Sequence, residues 1–261
     1  FPCTSWSTGS GGWTASTSGR PSWPGPSVDR RTVTTSRANP AELAAEYRKA
    51  LEDGAEAVVA VHLSGELSGT WNAAWMAAEE VGPDRVRIVD SRSTAMGLGF
   101  AVLAAADAAA AGASPAEVER AATRVAARAR TFFSVETLEH LRRGGRIGTT
   151  AALVGTALSV KPLLHVEDGR IVPLEKVRTT SRAIARLVDL AANAAGRGPV
   201  ELAVHHLAAP ERAAELAAKL ESRLPNSPGC LISEVGAVIG AHTGLGVLGV
   251  VIVPGGLNPQ A

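Results

Sequence analysis

Hydroxyl-bearing side chains cluster at three points of the sequence, where a predicted strand ends or a predicted helix begins. The clusters run from Thr34 to Ser36, from Ser64 to Thr70 and from Asp90 to Ser93. In an open α/β sheet, ligands bind outside the carboxyl ends of the strands. Hydroxyl and amide groups that converge there suit a small anionic group, such as a carboxylate or a phosphate. Helix capping alone explains any one cluster, but their recurrence at successive strand ends favours a binding site.

The signatures of several other chemistries are absent from the sequence. It contains no GxxxxGK[ST], HExxH or GxSxG motif. Residues 244–249 fit GxGxxG, but a strand pattern follows them, whereas a dinucleotide-binding motif must open a helix. His205 and His206 are adjacent on a predicted strand and point to opposite faces, so they cannot easily share a metal ion. No carboxylate–His–Ser constellation accompanies the hydroxyl clusters, so binding is favoured over hydrolysis. We also expect no bound metal ion.

The elements that must position these clusters follow from hydrophobic periodicity. In the first half of the chain, short apolar runs alternate with longer patterns of helical period. This alternation is typical of βαβ units and a parallel sheet. The predicted strands cover residues 58–63 and 86–89, and the predicted helices cover residues 39–53, 70–81, 97–111 and 114–130.

The second half of the chain predicts a different arrangement. Asp168 and Gly169 lie between two strand patterns, at residues 163–166 and 170–177, and this dipeptide is typical of a hairpin turn. Hairpins mixed with helices indicate an α+β domain with a mixed or antiparallel sheet. Further helices are predicted over residues 181–195 and 210–224, and further strands over residues 201–205, 230–235 and 247–253.

The sequence therefore predicts an α/β fold class with two domains. Residues 31–141 form an N-terminal α/β domain with a parallel sheet, and residues 142–261 form a C-terminal α+β domain with a mixed or antiparallel sheet. The boundary is placed at the loop from Arg142 to Arg146. Residues 1–30 stand apart, because 20 of them are Ser, Gly, Thr or Pro and none is Leu or Ile. We expect this segment to be irregular, with at most a short strand.

Composition excludes several classes of protein. With 46% hydrophobic and 20% charged residues, the 261-residue chain is typical of an ordinary globular protein rather than a disordered one. A net charge of +1 gives no overall attraction to nucleic acid, and no apolar run approaches the ~20 residues of a membrane helix. Cys3 and Cys230 lie far apart and indicate neither a disulfide framework nor a zinc site. We expect a cytoplasmic protein without stable membrane insertion.

Seven motifs occur in an order that resembles the DegV family of bacterial fatty-acid-binding proteins. The resemblance covers about residues 31–254, and it is specific because all seven motifs agree in order. The motifs are Thr35-Ser36, Leu63-Ser64-Gly65-Glu66-Leu67-Ser68-Gly69-Thr70, Asp90-Ser91-Arg92, Leu141-Arg142-Arg143-Gly144-Gly145-Arg146-Ile147, Lys161-Pro162, Lys176-Val177-Arg178 and His242-Thr243-Gly244.

The resemblance implies that the two domains hold one long-chain fatty acid between them and present its carboxylate to a separate fatty acid kinase subunit. The protein is then the acyl-presenting subunit rather than an enzyme, with the fatty acid as its ligand and no cofactor. Thr35 and Ser68 match the family's carboxylate-binding hydroxyls, and His242 matches a histidine near the same head group. Arg178 matches a basic residue that docks the kinase subunit, and Lys176 is predicted on the same strand face. Further residues expected to support the head-group site are Thr34, Ser64, Gly69, Ser91, Arg143 and Thr243.

Two other functions stay open on the sequence alone. The same hydroxyls could serve a stand-alone phosphotransferase or hydrolase, although the sequence offers no nucleotide cradle, metal-binding carboxylate cluster or activated nucleophile. A regulatory protein could instead use them to bind a different small organic acid.

The resemblance also implies two strands near the N-terminus that this sequence lacks, one with Asp-Ser-Thr and one similar to Val-Pro-Leu-His-Val-Val-Val-Asp-Gly. When residues 1–9 are written with GC-rich codons and read from the third base, they give Pro-Val-His-Val-Val-Val-Asp-Gly. We therefore hypothesise that residues 1–30 are an out-of-frame translation, and that a repaired chain would melt higher and retain more lipid. Sequencing the gene tests this, and an unchanged frame upstream of Val33 overturns it.

Overall fold

The computed structural model of the chain describes residues 5–9, 12–16, 34–147 and 160–258. Its internal contacts divide the chain into two compact units. Beyond the N-terminal segment, the first unit holds Ser36–Thr94 and Leu98–Ala127, and the second holds Thr34, Thr35, Ala95–Gly97 and the chain from Arg128 onward.

The segment before residue 31 contains more regular structure than its composition predicts. Strand β1 (Ser5–Gly9) pairs antiparallel with strand β2 (Gly12–Ser16), and Gly9 faces Gly12 in the register. This hairpin differs from the irregular segment expected, which allowed at most one short strand. Aliphatic periodicity misses it because threonine and tryptophan supply the strand propensity, and glycines flank the connection.

The first unit contains a pair of parallel strands with helices before and after each. Its elements are α1 (Pro40–Glu52), β3 (Val58–His62), α2 (Thr70–Val81), β4 (Val86–Asp90), α3 (Met96–Ala110) and α4 (Pro115–Arg128). β3 and β4 pair in parallel, with His62 opposite Asp90 at their carboxyl ends. The alternation of strands and helices, and the parallel pairing, confirm the α/β character predicted for this half of the chain.

Small side chains let α2 pack closely against α1 and the strands. Asn39 caps α1, because its side chain accepts a hydrogen bond from the Ala41 N–H at 3.0 Å. On α2, the buried residues repeat at helical spacing and form one apolar stripe toward the core. These residues are Ala73, Ala74, Ala77 and Ala78. The packing fixes the start of α2, where the second hydroxyl cluster ends.

The second unit is built on one six-stranded sheet. Its elements are β5 (Arg130–Ser134), α5 (Glu139–Arg143), β6 (Lys161–Glu167), β7 (Arg170–Val177), α6 (Thr180–Ala195), β8 (Val200–His206), α7 (Pro210–Arg223), β9 (Cys230–Glu234), α8 (Ala237–Thr243) and β10 (Leu248–Pro254). The strand order is β7-β6-β5-β10-β8-β9, and β8 and β9 are parallel while the other neighbours are antiparallel. The predicted α+β organisation with a mixed sheet is therefore confirmed.

Apolar faces of α6 and α7 cover this sheet. Ile184 and Leu187 of α6, and Leu216 and Leu220 of α7, are almost fully buried in one cluster with the strand residues. Among the described helices of the whole chain, none combines the length and the apolar character needed to cross a bilayer.

The division between the units falls at residues 127 and 128, earlier than the boundary at residues 141 and 142 that the sequence favours. The cause is β5, a strand that periodicity does not predict. It lies directly after α4, yet it pairs with β10 near the C-terminus and with β6, and therefore belongs to the second unit. The short helices α5 and α8 are also unpredicted, and α5 extends into the predicted Arg142–Arg146 loop.

Candidate functional site

The loop from Ser64 to Thr70 joins β3 to α2, and Ser64 holds it in shape. The Ser64 side chain is fully buried, and its hydroxyl accepts a hydrogen bond from the Glu66 N–H at 3.2 Å. Its carbonyl accepts hydrogen bonds from the N–H groups of Leu67 at 3.0 Å and Ser68 at 3.1 Å. Ser64, predicted as a head-group residue, therefore shapes the loop that carries Ser68.

The Ser68 hydroxyl contacts the first residue of α2. Its oxygen lies 2.9 Å from the Thr70 hydroxyl oxygen and accepts a hydrogen bond from the Thr70 N–H at 3.2 Å. Gly69 is the N-cap of α2 and supplies no side-chain hydrogen bond to the helix. The positive end of the α2 dipole therefore lies beside Ser68 without an N-cap side chain, which suits an anionic group there. A Cβ at Gly69 would lie 3.2 Å from Arg37 Cδ, so Arg37 runs closely across this glycine.

Asp90 joins this loop to the loop that follows β4. One carboxylate oxygen accepts a hydrogen bond from the Gly65 N–H at 3.2 Å, and the other accepts one from the Arg92 N–H at 2.7 Å. The buried Ser91 hydroxyl donates to the Ser93 carbonyl at 3.3 Å and accepts from the Ser93 N–H at 3.2 Å. Ser91 therefore stabilises its own turn, and Asp90 ties the two hydroxyl-rich loops together.

His62 lies opposite Asp90 at the end of β3 and is neutral at physiological pH. Burial lowers the pKa of His62 to about 4, and the Asp90 carboxylate opposes only part of this shift. The His62 Nε2 lies 3.1 Å from the Tyr47 hydroxyl. The imidazole therefore neither attracts nor repels an anion at this edge of the strands.

In the second unit, Thr35 contacts His242, although 207 positions separate them in sequence. The Thr35 Oγ1 lies 2.9 Å from the His242 Nε2. Thr34 is exposed, and the buried Thr243 donates its hydroxyl proton to the Ile239 carbonyl of α8 at 3.1 Å. The structure thus brings together two of the predicted head-group residues, Thr35 and His242, while Thr243 stabilises its own helix.

Two histidines and two glycines lock α5 against α8. A Cβ at Gly144, which ends α5, would lie 2.2 Å from the Nδ1 of His242. A Cβ at Gly244, which ends α8, would lie 2.6 Å from the Cδ2 of His140. Each helix therefore carries a histidine whose ring packs on the glycine that ends the other helix. This reciprocal contact sets the position of His242, and it was not predicted from the sequence.

An arginine outside the predicted set, Arg146, acts on His242. Burial lowers the pKa of His242, and the positive charge of Arg146 lowers it further. The Nη1 of Arg146 donates to the Gly144 carbonyl at 2.5 Å. The predicted Arg143 is exposed and pairs instead with Glu139 at 3.2 Å, one turn away on α5. Both arginines belong to the same sequence motif. Only the structure of the turn after α5 shows that Arg146, and not Arg143, interacts with His242.

The predicted docking residues border a cavity of about 460 Å³ in the second unit. Val177 ends β7 and is buried, whereas Lys176 is half-buried. Arg178 is exposed and follows β7, so the predicted strand face shared by Lys176 and Arg178 ends before the arginine. The cavity is lined by Glu175, Lys176, Val177, Arg178, Thr179, Arg182 and Arg186. Because Glu175 binds Arg186 at 2.7 Å, the lining keeps an excess of positive charge.

The adjacent histidines of β8 make separate structural contacts. The Nε2 of His205 accepts a hydrogen bond from the Met96 N–H at 3.1 Å, and burial lowers the pKa of His205 to about 4. The Nδ1 of His206 accepts one from the Ala209 N–H at 3.4 Å. Within residues 34–147 and 160–258, no group of three or more His, Cys, Asp or Glu side chains is placed to hold a metal ion.

Comparison with known sequences gives a family match over most of the chain. The family model described as "Uncharacterised protein, DegV family COG1307" matches residues 28–255. The DegV domain-containing protein SCO2569 of Streptomyces coelicolor is 57% identical over 223 residues, which cover 85% of this chain and 79% of that protein.

Comparison with solved structures gives the same fold. A DegV family protein from Thermus thermophilus, described with the words "Fatty Acid Binding", has a TM-score of 0.80 at 35% identity and covers 85% of this chain and 79% of its own. DegV from Bacillus subtilis, described as "a fatty acid binding protein", has a TM-score of 0.75 at 35% identity, with coverage of 84% and 78%.

Proposed function

Because the chain belongs to the DegV family, we propose that it binds a long-chain fatty acid and holds the carboxylate through the hydroxyl groups of Thr35 and Ser68. The observation that carries this proposal is the shared fold with two fatty-acid-binding relatives at 35% identity. The local geometry supports it, because each hydroxyl oxygen lies within hydrogen-bond distance of a neighbouring group that can donate to it.

The alkyl chain and the head group have different tasks in this proposal. Burying one methylene contributes about 0.8 kcal/mol, so a chain of about sixteen carbons supplies more binding free energy than the head-group contacts. The few polar groups then fix the orientation of the ligand and the position of its carboxylate. The positive end of the α2 dipole beside Ser68, where the N-cap is a glycine, supports a negative charge at that end of the ligand.

The proposal extends to a presenting subunit rather than an enzyme. A separate fatty acid kinase subunit supplies a nucleoside triphosphate. A carboxylate oxygen of the fatty acid attacks the terminal phosphorus, the bond from that phosphorus to the bridging oxygen breaks, and an acyl phosphate and a nucleoside diphosphate form. This chain contributes by fixing the position of the carboxylate. The positively charged surface around Lys176 and Arg178 supports docking of an acidic face of that subunit.

Native mass spectrometry of gently purified protein tests the proposed ligand. We expect an added mass equal to a long-chain fatty acid, released on denaturation. The double variant Thr35→Ala/Ser68→Ala is the control, and it should retain less of this mass. An empty wild-type protein would instead favour a binder of another small acid, and a bound nucleotide would favour a stand-alone phosphotransferase.

A further inference from the structure

We propose that Thr70 is a positioning residue for the ligand carboxylate, because its hydroxyl donates to Ser68 and thereby directs the Ser68 proton toward the ligand. This inference rests on the proposed function, in which Ser68 binds the carboxylate. Thr70 is the first residue of α2 and is not among the head-group residues predicted from the sequence.

The hydrogen-bonding capacity of Ser68 carries the argument. A serine hydroxyl has one proton to donate and accepts at most two hydrogen bonds. The Thr70 N–H occupies one acceptor position of the Ser68 oxygen, at 3.2 Å. The two hydroxyl oxygens lie 2.9 Å apart, so one of the two hydroxyl protons must point along this contact. Among the described residues, neither hydroxyl makes a hydrogen bond outside this pair.

The direction of the hydroxyl contact decides what Ser68 offers to a ligand. If Ser68 donates to Thr70, only a lone pair of Ser68 can face the carboxylate, and two acceptors repel each other. If Thr70 donates, both acceptor positions of Ser68 are filled, and its proton points out of the pair. A carboxylate can only accept, so it selects the second arrangement. A chain of hydrogen bonds then runs from Thr70 through Ser68 to the carboxylate, and each bond strengthens the next.

The position of Thr70 in the fold suits this task. Its backbone is fixed as the first residue of α2, and its N–H and its hydroxyl both contact the same Ser68 oxygen. Its branched Cβ restricts the side-chain rotamers. Valine at this position keeps the branched shape but has no hydroxyl donor, whereas serine keeps the donor but loses the branch. The two substitutions therefore distinguish the effect of the hydroxyl group from the effect of side-chain shape.

Binding of palmitate and 1-hexadecanol to delipidated protein, by displacement of a fluorescent fatty-acid probe, tests the inference. We expect Thr70→Val to weaken palmitate binding about fivefold, and Thr70→Ser to stay within about twofold of the wild type. In a Ser68→Ala background, Thr70→Val should have no further effect. Hexadecanol both donates and accepts, so Thr70→Val should change its affinity by less than about twofold.

Each outcome has a distinct meaning. Equal palmitate affinity of T70V and the wild type overturns the role of Thr70, as does equal weakening with and without the Ser68 hydroxyl. A loss in T70S as large as that in T70V overturns it too. If S68A binds palmitate as tightly as the wild type, the carboxylate role of Ser68 fails instead. Thermal melting checks that each variant is folded, and Thr70→Ala replaces T70V if the valine variant does not fold.

Discussion

At Thr35, the tautomer of His242 decides whether the hydroxyl can donate to a ligand. A neutral imidazole has one N–H, and burial together with Arg146 keeps His242 neutral by lowering its pKa. The Nδ1 of His242 is buried and has no hydrogen-bond partner among the described residues. Because a buried N–H without a hydrogen-bond partner is costly, we expect the proton on Nε2, which then donates to Thr35. Thr35 keeps its own proton for the carboxylate, as Ser68 does through Thr70.

Replacing Thr35 by alanine should weaken fatty-acid binding by about 1.5–3 kcal/mol, because the charged carboxylate loses the hydrogen bond that the Thr35 hydroxyl donates to it. Thr35→Ser keeps the hydroxyl and is the matched control. Displacement titrations with palmitate measure the change, and an unaltered affinity of T35A would contradict the assignment.

His242→Ala should impair phosphorylation of bound fatty acid by the kinase subunit more than it impairs binding.

Single residues show where the sequence stops being informative. Ser64 and Ser91 are found from their positions at predicted strand ends, but their hydroxyls stabilise the loops themselves. Position in a motif cannot distinguish a residue that binds the ligand from one that stabilises the loop, because both need a hydroxyl at a strand end. The contact between Thr35 and His242 joins distant parts of the chain, and only the family resemblance pairs them before the structure does.

At the scale of elements, clear boundaries and strong periodicity made prediction possible. Helix α2 is predicted with its observed bounds, because Gly69 and Gly82 flank it and the residues between them favour a helix. Strand β5 is missed because only Phe132 and Phe133 are strongly apolar in a five-residue run that directly follows α4. Helix α8 is missed because its seven residues are too few for a visible helical period.

The lock between α5 and α8 gives a prediction at this scale. Alanine at position 144 fits the backbone, whose φ is −73°, but its Cβ would collide with the His242 ring. We expect Gly144→Ala to lower the free energy of unfolding by about 1–3 kcal/mol and to weaken palmitate binding by displacing His242 from Thr35. Urea unfolding and displacement titrations measure both effects.

The matched control for this lock is Gly198→Ala. A Cβ at Gly198 would have no neighbour within 4 Å, and its φ lies outside the left-handed region. The free energy of unfolding should therefore change by less than about 0.5 kcal/mol. If the two alanine variants were equally stable and bound palmitate equally well, the lock between α5 and α8 would have no role in placing His242.

For docking of a partner protein, the positive charge around Arg178 matters more than the net charge of the whole molecule, which is only +1. If the surface around Arg178 docks a kinase subunit, Arg178→Ala should reduce coupled phosphorylation and leave direct palmitate binding intact. Arg197→Ala is the control, because this exposed arginine follows the opposite end of α6. Palmitate binding is measured on delipidated protein, and coupled phosphorylation is measured on the same protein reloaded with palmitate. Equal loss of binding and phosphorylation in R178A would assign Arg178 to the ligand site or to the fold instead.

His62 in the first unit and His205 in the second resist protonation. Burial lowers the pKa of His62 and the pKa of His205 from 6.5 to about 4. Between these values the unfolded chain binds a proton at each imidazole, and the folded chain does not. The folded state is therefore most favoured above pH 6.5 with respect to these groups, and it loses that advantage as the pH falls toward 4.

We expect the free energy of unfolding to fall by about 2 kcal/mol per histidine between pH 7 and pH 5, because both unfolded imidazoles take up protons over this range. Urea unfolding at fixed ionic strength, followed by circular dichroism, measures the change. His62→Gln cannot take up a proton at this position and should remove about half of the pH dependence. A free energy of unfolding that stays constant from pH 7 to pH 5, or a pH dependence that H62Q leaves unaltered, would show that the folded protein accepts these protons.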